Sequence, residues 1–226
     1  MPNTNHSMDL EKFRNDVHEV TDRLSHYLSQ SDLSKLNCVR QQLVEMYQKN
    51  LVKINHSVLE LICAANLIAN GYDVEVEKKV SDILVCDLFA KKGDGDTIIE
   101  IETGFTPPDH AMDTIDYSTA RIMSKIARYS KYCSKFSLAT PVMGLIPIPK
   151  IFLIPPNARK KDDVKKVQNL CDRYYKNPPI NYDDILNARL HSIYLINVDK
   201  SFAKPLDPQG YVDLTENLLT RSEVSY

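Results

Sequence analysis

Three carboxylates stand where carboxylates are costly. Asp87 interrupts the otherwise apolar run 83–90 (ILVCDLFA), and Glu100 and Glu102 sit two apart in 97–103 (TIIEIET). A continuously apolar run reads as a strand covered on both faces, where a carboxylate needs a cation, a metal or several hydrogen-bond donors. Residues two apart on a strand project to one face, so Glu100 and Glu102 lie side by side while Ile99 and Ile101 face away. If residues 91–96 (KKGDGD) close a hairpin between the two segments, Asp87 comes beside the glutamate pair. Three like charges at close range are tolerable chiefly around a divalent cation, here Mg2+ or Mn2+. Such an ion polarises a phosphate oxygen and acidifies a coordinated water. In that chemistry Asp87 and Glu100 hold the ion, while Glu102 orients the water or helps hold a second ion. The competing reading is a solvated Glu100/Glu102 face, with Asp87 satisfied by backbone amides or a lysine. Asp94 and Asp96 in the connecting loop lack the length and terminal glutamate of a calcium loop and read as a turn.

A cationic helix follows the acidic strand. Over residues 117–133, Arg121, Lys125, Arg128 and Tyr132 follow steps of four, three and four, with Ile122, Ile126 and Tyr129 on the neighbouring stripe. Arg121, Lys125, Arg128 and Tyr129 are the candidate nucleic-acid contacts. For Arg128 the blander reading, a solvated arginine balancing nearby acids, is preferred. The loop 103–113 (TGFTPPDHAMD) is either a rim over the site or a rigid connection.

The elements that must position these residues follow from periodicity. Residues 1–8 are polar and expected to be irregular. Leu10, Phe13, Val17, Val20, Leu24 and Tyr27 form one helical stripe; after capping candidates at 29–32 (SQSD), Leu36, Val39, Leu43 and Met46 form another. Residues 1–52 therefore read as a helical hairpin, expected to pack on the chain's own core, with a homodimerisation arm as the alternative. An apolar helix over 57–70 stops at Gly71. Strands at 72–77, 83–90 and 97–103 follow, then the cationic helix and a strand at 136–140. Beyond these lie an apolar segment at 151–155, a charged helix at 160–176 and a strand at 191–198. The fold class is α/β: a core over 55–140 of order α-β-β-β-α-β, and a βαβ-like extension over 141–226, together one domain at 53–226.

The helix, then DLFA, then IIEIETG resembles the PD-(D/E)xK nuclease superfamily. Cys86-Asp87 stands where that family has Pro-Asp, and Glu100-Ile101-Glu102 where it has (Asp/Glu)-x-Lys. Two of the three signature positions agree, and Glu102 in place of lysine is the departure. The resemblance covers 55–140 and implies a restriction-endonuclease-like core. It makes Glu60, on the apolar helix, an extra metal ligand; a partly buried helix-surface glutamate is the equal alternative. His56, one turn earlier, could pair with Glu60 but reads first as a cap or surface residue. Lys125 would stand in for the missing strand lysine and stabilise charge on a phosphate under attack. Lys125 to Tyr129 also resembles the Gln-x-x-x-Tyr helix motif of the RecB-like branch, with lysine for glutamine.

The expectation is a metal-dependent nuclease hydrolysing phosphodiester bonds in DNA, or RNA second. The alternative is a catalytically inactive nuclease-fold module that binds nucleic acid or protein; a third reading is an oligomer organised by the N-terminal hairpin. A formal charge of -2 over 226 residues excludes polybasic binding, so any nucleic-acid site must be a local patch. The five cysteines form no CxxC pair, so neither zinc knuckle nor disulfide framework is expected. The most apolar stretch, 142–155, is broken by prolines and Lys150, so the chain is expected to be cytoplasmic, with no membrane partner.

Overall fold

The structure, a computed structural model, describes residues 4–223. Its helices are α1 (Thr4–Ser25), α2 (Gln30–Gln48), α3 (Ile54–Ala69), α4 (Thr114–Tyr129), α5 (Lys161–Tyr174), α6 (Tyr182–Asn187) and α7 (Pro208–Glu223). Its strands are β1 (Asp73–Lys79), β2 (Val85–Lys92), β3 (Gly95–Ile101), β4 (Lys135–Pro141), β5 (Ser192–Asn197) and β6 (Phe202–Leu206). The class is α/β, and the strands follow the order β1-β2-β3-β4-β5-β6 in a mixed sheet. From α3 to β4 the elements run α-β-β-β-α-β. Contacts divide the chain into two compact units, Met1–Asp96 with Ile196–Lys204, and Thr97–Leu195 with Pro205–Tyr226.

In the first unit, α1 buries Phe13, Val17, Val20 and Leu24, α2 buries Leu36, Val39 and Leu43, and both stripes pack on α3. The Phe13 ring stacks on Tyr47 at 4.1 Å. Ser29 caps α2, its Oγ accepting from the Asp32 amide at 3.1 Å, which satisfies one of the orphan donors of a helix start. Residues 1–3 lie outside the described residues, but 4–8, expected to be irregular, are helical within α1. α3 ends as expected at Gly71, whose φ of 81° is a left-handed position that costs glycine nothing.

β1 and β2 pair antiparallel, from Asp73 with Lys91 to Lys79 with Val85. On β2, Cys86, Leu88 and Ala90 are fully buried, whereas Val85, Asp87 and Phe89 occupy the more open face. The expectation of a strand covered on both faces is thus corrected: an apolar run does not require two covered faces, because folded proteins leave much apolar surface in water.

In the second unit it is β3 that is covered on both faces, every residue from Thr97 to Ile101, and Glu102 just beyond the strand, being buried. It pairs parallel with β4, Thr97 with Lys135 through Ile101 with Ala139, and the Glu102 amide continues the ladder to the Ala139 carbonyl at 2.7 Å. α4 buries Ile122 and Ile126. The expected βαβ-like extension is not formed. Residues 151–155 lie in a short 3-10 turn and its exit rather than a strand, since the surrounding prolines cannot donate to a ladder. The expected helix over 160–176 and strand over 191–198 do form, as α5 and β5, with α6 between them and β6 and α7 after them. The Tyr211 hydroxyl of α7 is buried and accepts from the Ile146 amide at 2.9 Å. No helix among the described residues is long and apolar enough to cross a membrane.

Candidate metal centre

In the first unit, α3 and the β1–β2 ladder converge on one point. His56 and Glu60 are four apart on α3 and therefore share a face; His56 Nδ1 lies 2.8 Å from Glu60 Oε1. The other ring nitrogen, Nε2, lies 3.8 Å from Asp87 Oδ2 on β2. The ladder pairs Val76 with Leu88 and Lys78 with Cys86, so Glu77 stands opposite Asp87. One ligand atom from each of His56, Glu60, Glu77 and Asp87 falls within 4.8 Å of all the others. Glu77 takes φ 49°, a left-handed conformation that a non-glycine residue adopts at a cost.

The charges in this cluster are in conflict. Glu60 is fully buried, and with the carboxylates ionised its Oε2 has no hydrogen-bond donor. Burial holds the Glu60 carboxyl above the usual carboxylate range, partly offset by the hydrogen bond to His56. Glu77 is pushed up to about 7, first by burial and then by the charges of Glu60 and Asp87. Burial, with Glu60 second, also raises the Cys63 thiol. Two occupants relieve this: a proton shared by Glu60 and Glu77, or a cation among the donors. One imidazole nitrogen and three carboxylates form a complete donor set for a small divalent ion, and the orphaned Glu60 oxygen is the atom such an ion would satisfy.

In the second unit Glu100 and Glu102 meet the cationic helix. Lys125 Nζ lies 3.0 Å from Glu100 Oε2 and 2.6 Å from Glu102 Oε1, and donates to the Ile101 carbonyl at 3.2 Å. Arg121 Nε lies 3.0 Å from Glu102 Oε2, and its Nη1 donates to the Phe105 carbonyl at 3.1 Å. Both glutamates are almost wholly buried, so this lysine and arginine are what make their ionised form tolerable.

Comparison with known protein families, curated proteins and solved structures gives no match.

Of the residues singled out in the sequence, Glu60 and Asp87 fall in the donor cluster, and Glu100, Glu102, Lys125 and Arg121 form the ion-paired network. Arg128 and Tyr129 join neither. Arg128 Nη2 donates to the Pro178 carbonyl at 2.6 Å, with its guanidinium 5.5 Å over the Tyr175 ring. Tyr129 is buried and stacks parallel to Phe136 at 6.3 Å. Sequence reasoning missed Glu77 and ranked His56 as a cap. The His56/Glu60 spacing was a usable signal. Glu77, in an alternating 72–77 run, looks like any solvated strand residue until the register sets it against Asp87.

Proposed function

We propose that the protein is a divalent-metal-dependent phosphodiesterase acting on nucleic acid, DNA first and RNA second, with His56, Glu60, Glu77 and Asp87 as metal ligands. The observation that carries the reading is the buried Glu60 oxygen without a donor, aimed among three further donors within one coordination sphere. The ion is Mn2+ or Mg2+, and the imidazole donor favours Mn2+. When bound, it supplies a Lewis acid for a phosphate oxygen and a more acidic water. Glu60 Oε1 fixes the His56 ring through Nδ1, which leaves Nε2 directed toward Asp87. In the second unit, Lys125 is the candidate stand-in for the strand lysine that the resemblance would put at Glu102, and Arg121 remains a candidate nucleic-acid contact.

A second reading, a nucleic-acid-binding module without catalysis, is favoured by one observation: Lys125 is engaged by both Glu100 and Glu102 rather than turned outward. Calorimetric titration of the full chain with Mn2+, beside cleavage assays on single- and double-stranded DNA and on RNA, separates the two. Metal-dependent cleavage is expected, and Asp87→Ala should weaken Mn2+ by about tenfold or more and abolish turnover. Metal binding without cleavage of any substrate supports the module. Identical metal affinity in Asp87→Ala removes the centre altogether.

A further inference from the structure

The second unit carries a cavity of about 710 Å³ whose titratable lining residues are all basic: Lys135, Arg159, Arg189 and His191. It is built where the backbone gathers three basic segments. Lys135 opens β4, and the His191 amide donates to the Phe136 carbonyl at 2.7 Å, bringing residues 189–191 alongside that strand. Arg159 precedes α5 and is only 8% exposed. Its Nε donates to the Ile151 and Ile154 carbonyls, both at 3.0 Å, and its Nη1 to the Ile185 and Leu186 carbonyls, both at 2.8 Å. Four neutral acceptors fix the guanidinium, 5.3 Å over the Phe152 ring, but none neutralises it.

The basic groups also oppose one another. Arg159 is drawn down to about 10, first by burial and then by the charge of Arg189. His191 is held below its usual value by burial and then by Lys135. Among the described residues no acidic side chain lines the cavity or pairs with Lys135, Arg159 or Arg189. A chain of net charge -2 has acids to spare, so three cations around one concavity, one of them buried, is an arrangement that stability alone does not favour. A structural staple would need Arg159 and its carbonyls; it would not need Arg189 facing it. Phe136 and Phe152 also border the cavity but are 2% and 4% exposed, with Tyr129 stacked on the first ring and Arg159 over the second, so the open lining is the basic one.

We propose that this cavity binds a phosphate monoester, with Lys135, Arg159 and Arg189 on the phosphate. The chemistry is shared by a free nucleoside monophosphate and by the phosphorylated end of a nucleic-acid strand. The site is independent of the metal centre and stands whether or not that centre is catalytic.

The test uses the full chain in EDTA at low salt, titrated with adenosine monophosphate and with a 5′-phosphorylated single-stranded oligonucleotide. Saturable binding of either probe is expected, with affinity falling as salt rises. In Arg189→Gln/Lys135→Gln the affinity should fall about tenfold or more, and the slope of log affinity against log salt should shrink by about two, one per phosphate contact removed. Arg159 is left intact because its loss would orphan four carbonyls. Binding of the mononucleotide identifies a free nucleotide as the ligand; binding of the oligonucleotide alone identifies a strand end. Because like-charge repulsion is removed, the double variant should be no less thermally stable than the parent, with unchanged Mn2+ affinity. The proposal is overturned if neither probe binds, if both bind the double variant as tightly as the parent, or if the double variant is destabilised while its probe affinity is unchanged.

Discussion

Lys125 holds two buried glutamates at once, which makes it the residue whose loss should be felt most in the second unit. Removing one partner of a buried ion pair leaves an uncompensated charge and costs about 3–5 kcal/mol. Lys125→Ala should therefore destabilise the chain by about that amount in urea titrations near neutral pH. Glu100→Gln on the same background should recover part of the loss, because it removes one of the two charges that Lys125 held while Glu102 keeps Arg121. A Lys125→Ala chain as stable as the parent would show that Glu100 and Glu102 are not ionised there. At this scale the sequence was informative wherever a charge type was unexpected: Asp87, Glu100 and Glu102 are conspicuous among Ile, Val and Leu. It was uninformative wherever the residue type fitted its surroundings. Arg128 and Tyr129 on an amphipathic helix look available to a ligand, yet one is spent on a backbone carbonyl and the other on an aromatic neighbour. Which of two adjacent stripes faces inward is a matter of packing that spacing alone leaves open.

β1 carries strain at the residue that faces Asp87. The ladder is regular on both sides of Glu77, yet Glu77 itself takes φ 49°. A left-handed residue other than glycine costs about 1–2 kcal/mol. Glu77→Gly should therefore stabilise the metal-free protein by about 1 kcal/mol while weakening Mn2+ binding, the trade expected when a position serves a ligand rather than the fold. Chemical denaturation in EDTA and metal titration of the same variant check the two halves; a variant less stable than the parent would mean that the conformation is imposed by packing instead. Among elements, the sequence was most legible where apolar spacing and a punctuation residue agreed, as in α1, α2 with its Ser29 cap, and α3 with Gly71. It misled where composition and periodicity conflicted. The apolar segment 151–155 invited the first strand of the extension, but the prolines around it lack the amide hydrogens a strand must offer. β6 carries no strong alternation, whereas α7 had a usable signal in Asp207-Pro208, a capping residue before a proline at the first helical position, with Asp207 Oδ1 accepting from the Gly210 amide at 2.9 Å.

For the molecule as a whole, the metal centre couples stability to pH, and the sign can be worked out from Glu77 and Glu60. Both carboxyls are raised in the folded state, Glu77 from 4.5 to about 7, so between those values the folded chain binds protons more tightly than the unfolded chain. Stability rises with pH only where the unfolded state holds more protons. Here the reverse holds: the contribution of Glu77 is complete below 4.5 and is lost as pH rises toward 7, and Glu60, raised by burial, acts in the same direction. In EDTA, the parent should therefore lose thermal stability relative to Glu77→Gln across that window. Other carboxylates add slopes common to both chains, so the difference between them carries the prediction. A metal takes the place of the proton, and at a hundredfold excess over its dissociation constant it stabilises by about 2.7 kcal/mol. Because protons and metal compete for the same oxygens, the rise in melting temperature on adding Mn2+ should be small near pH 5 and large near pH 8, roughly the two sides of a carboxyl titrating near neutrality. Scanning calorimetry of parent and Glu77→Gln, with Mn2+ and with EDTA, reads both effects. An Mn2+ increment independent of pH, or equal pH slopes in the two chains, would mean that Glu77 and Glu60 do not share the ion.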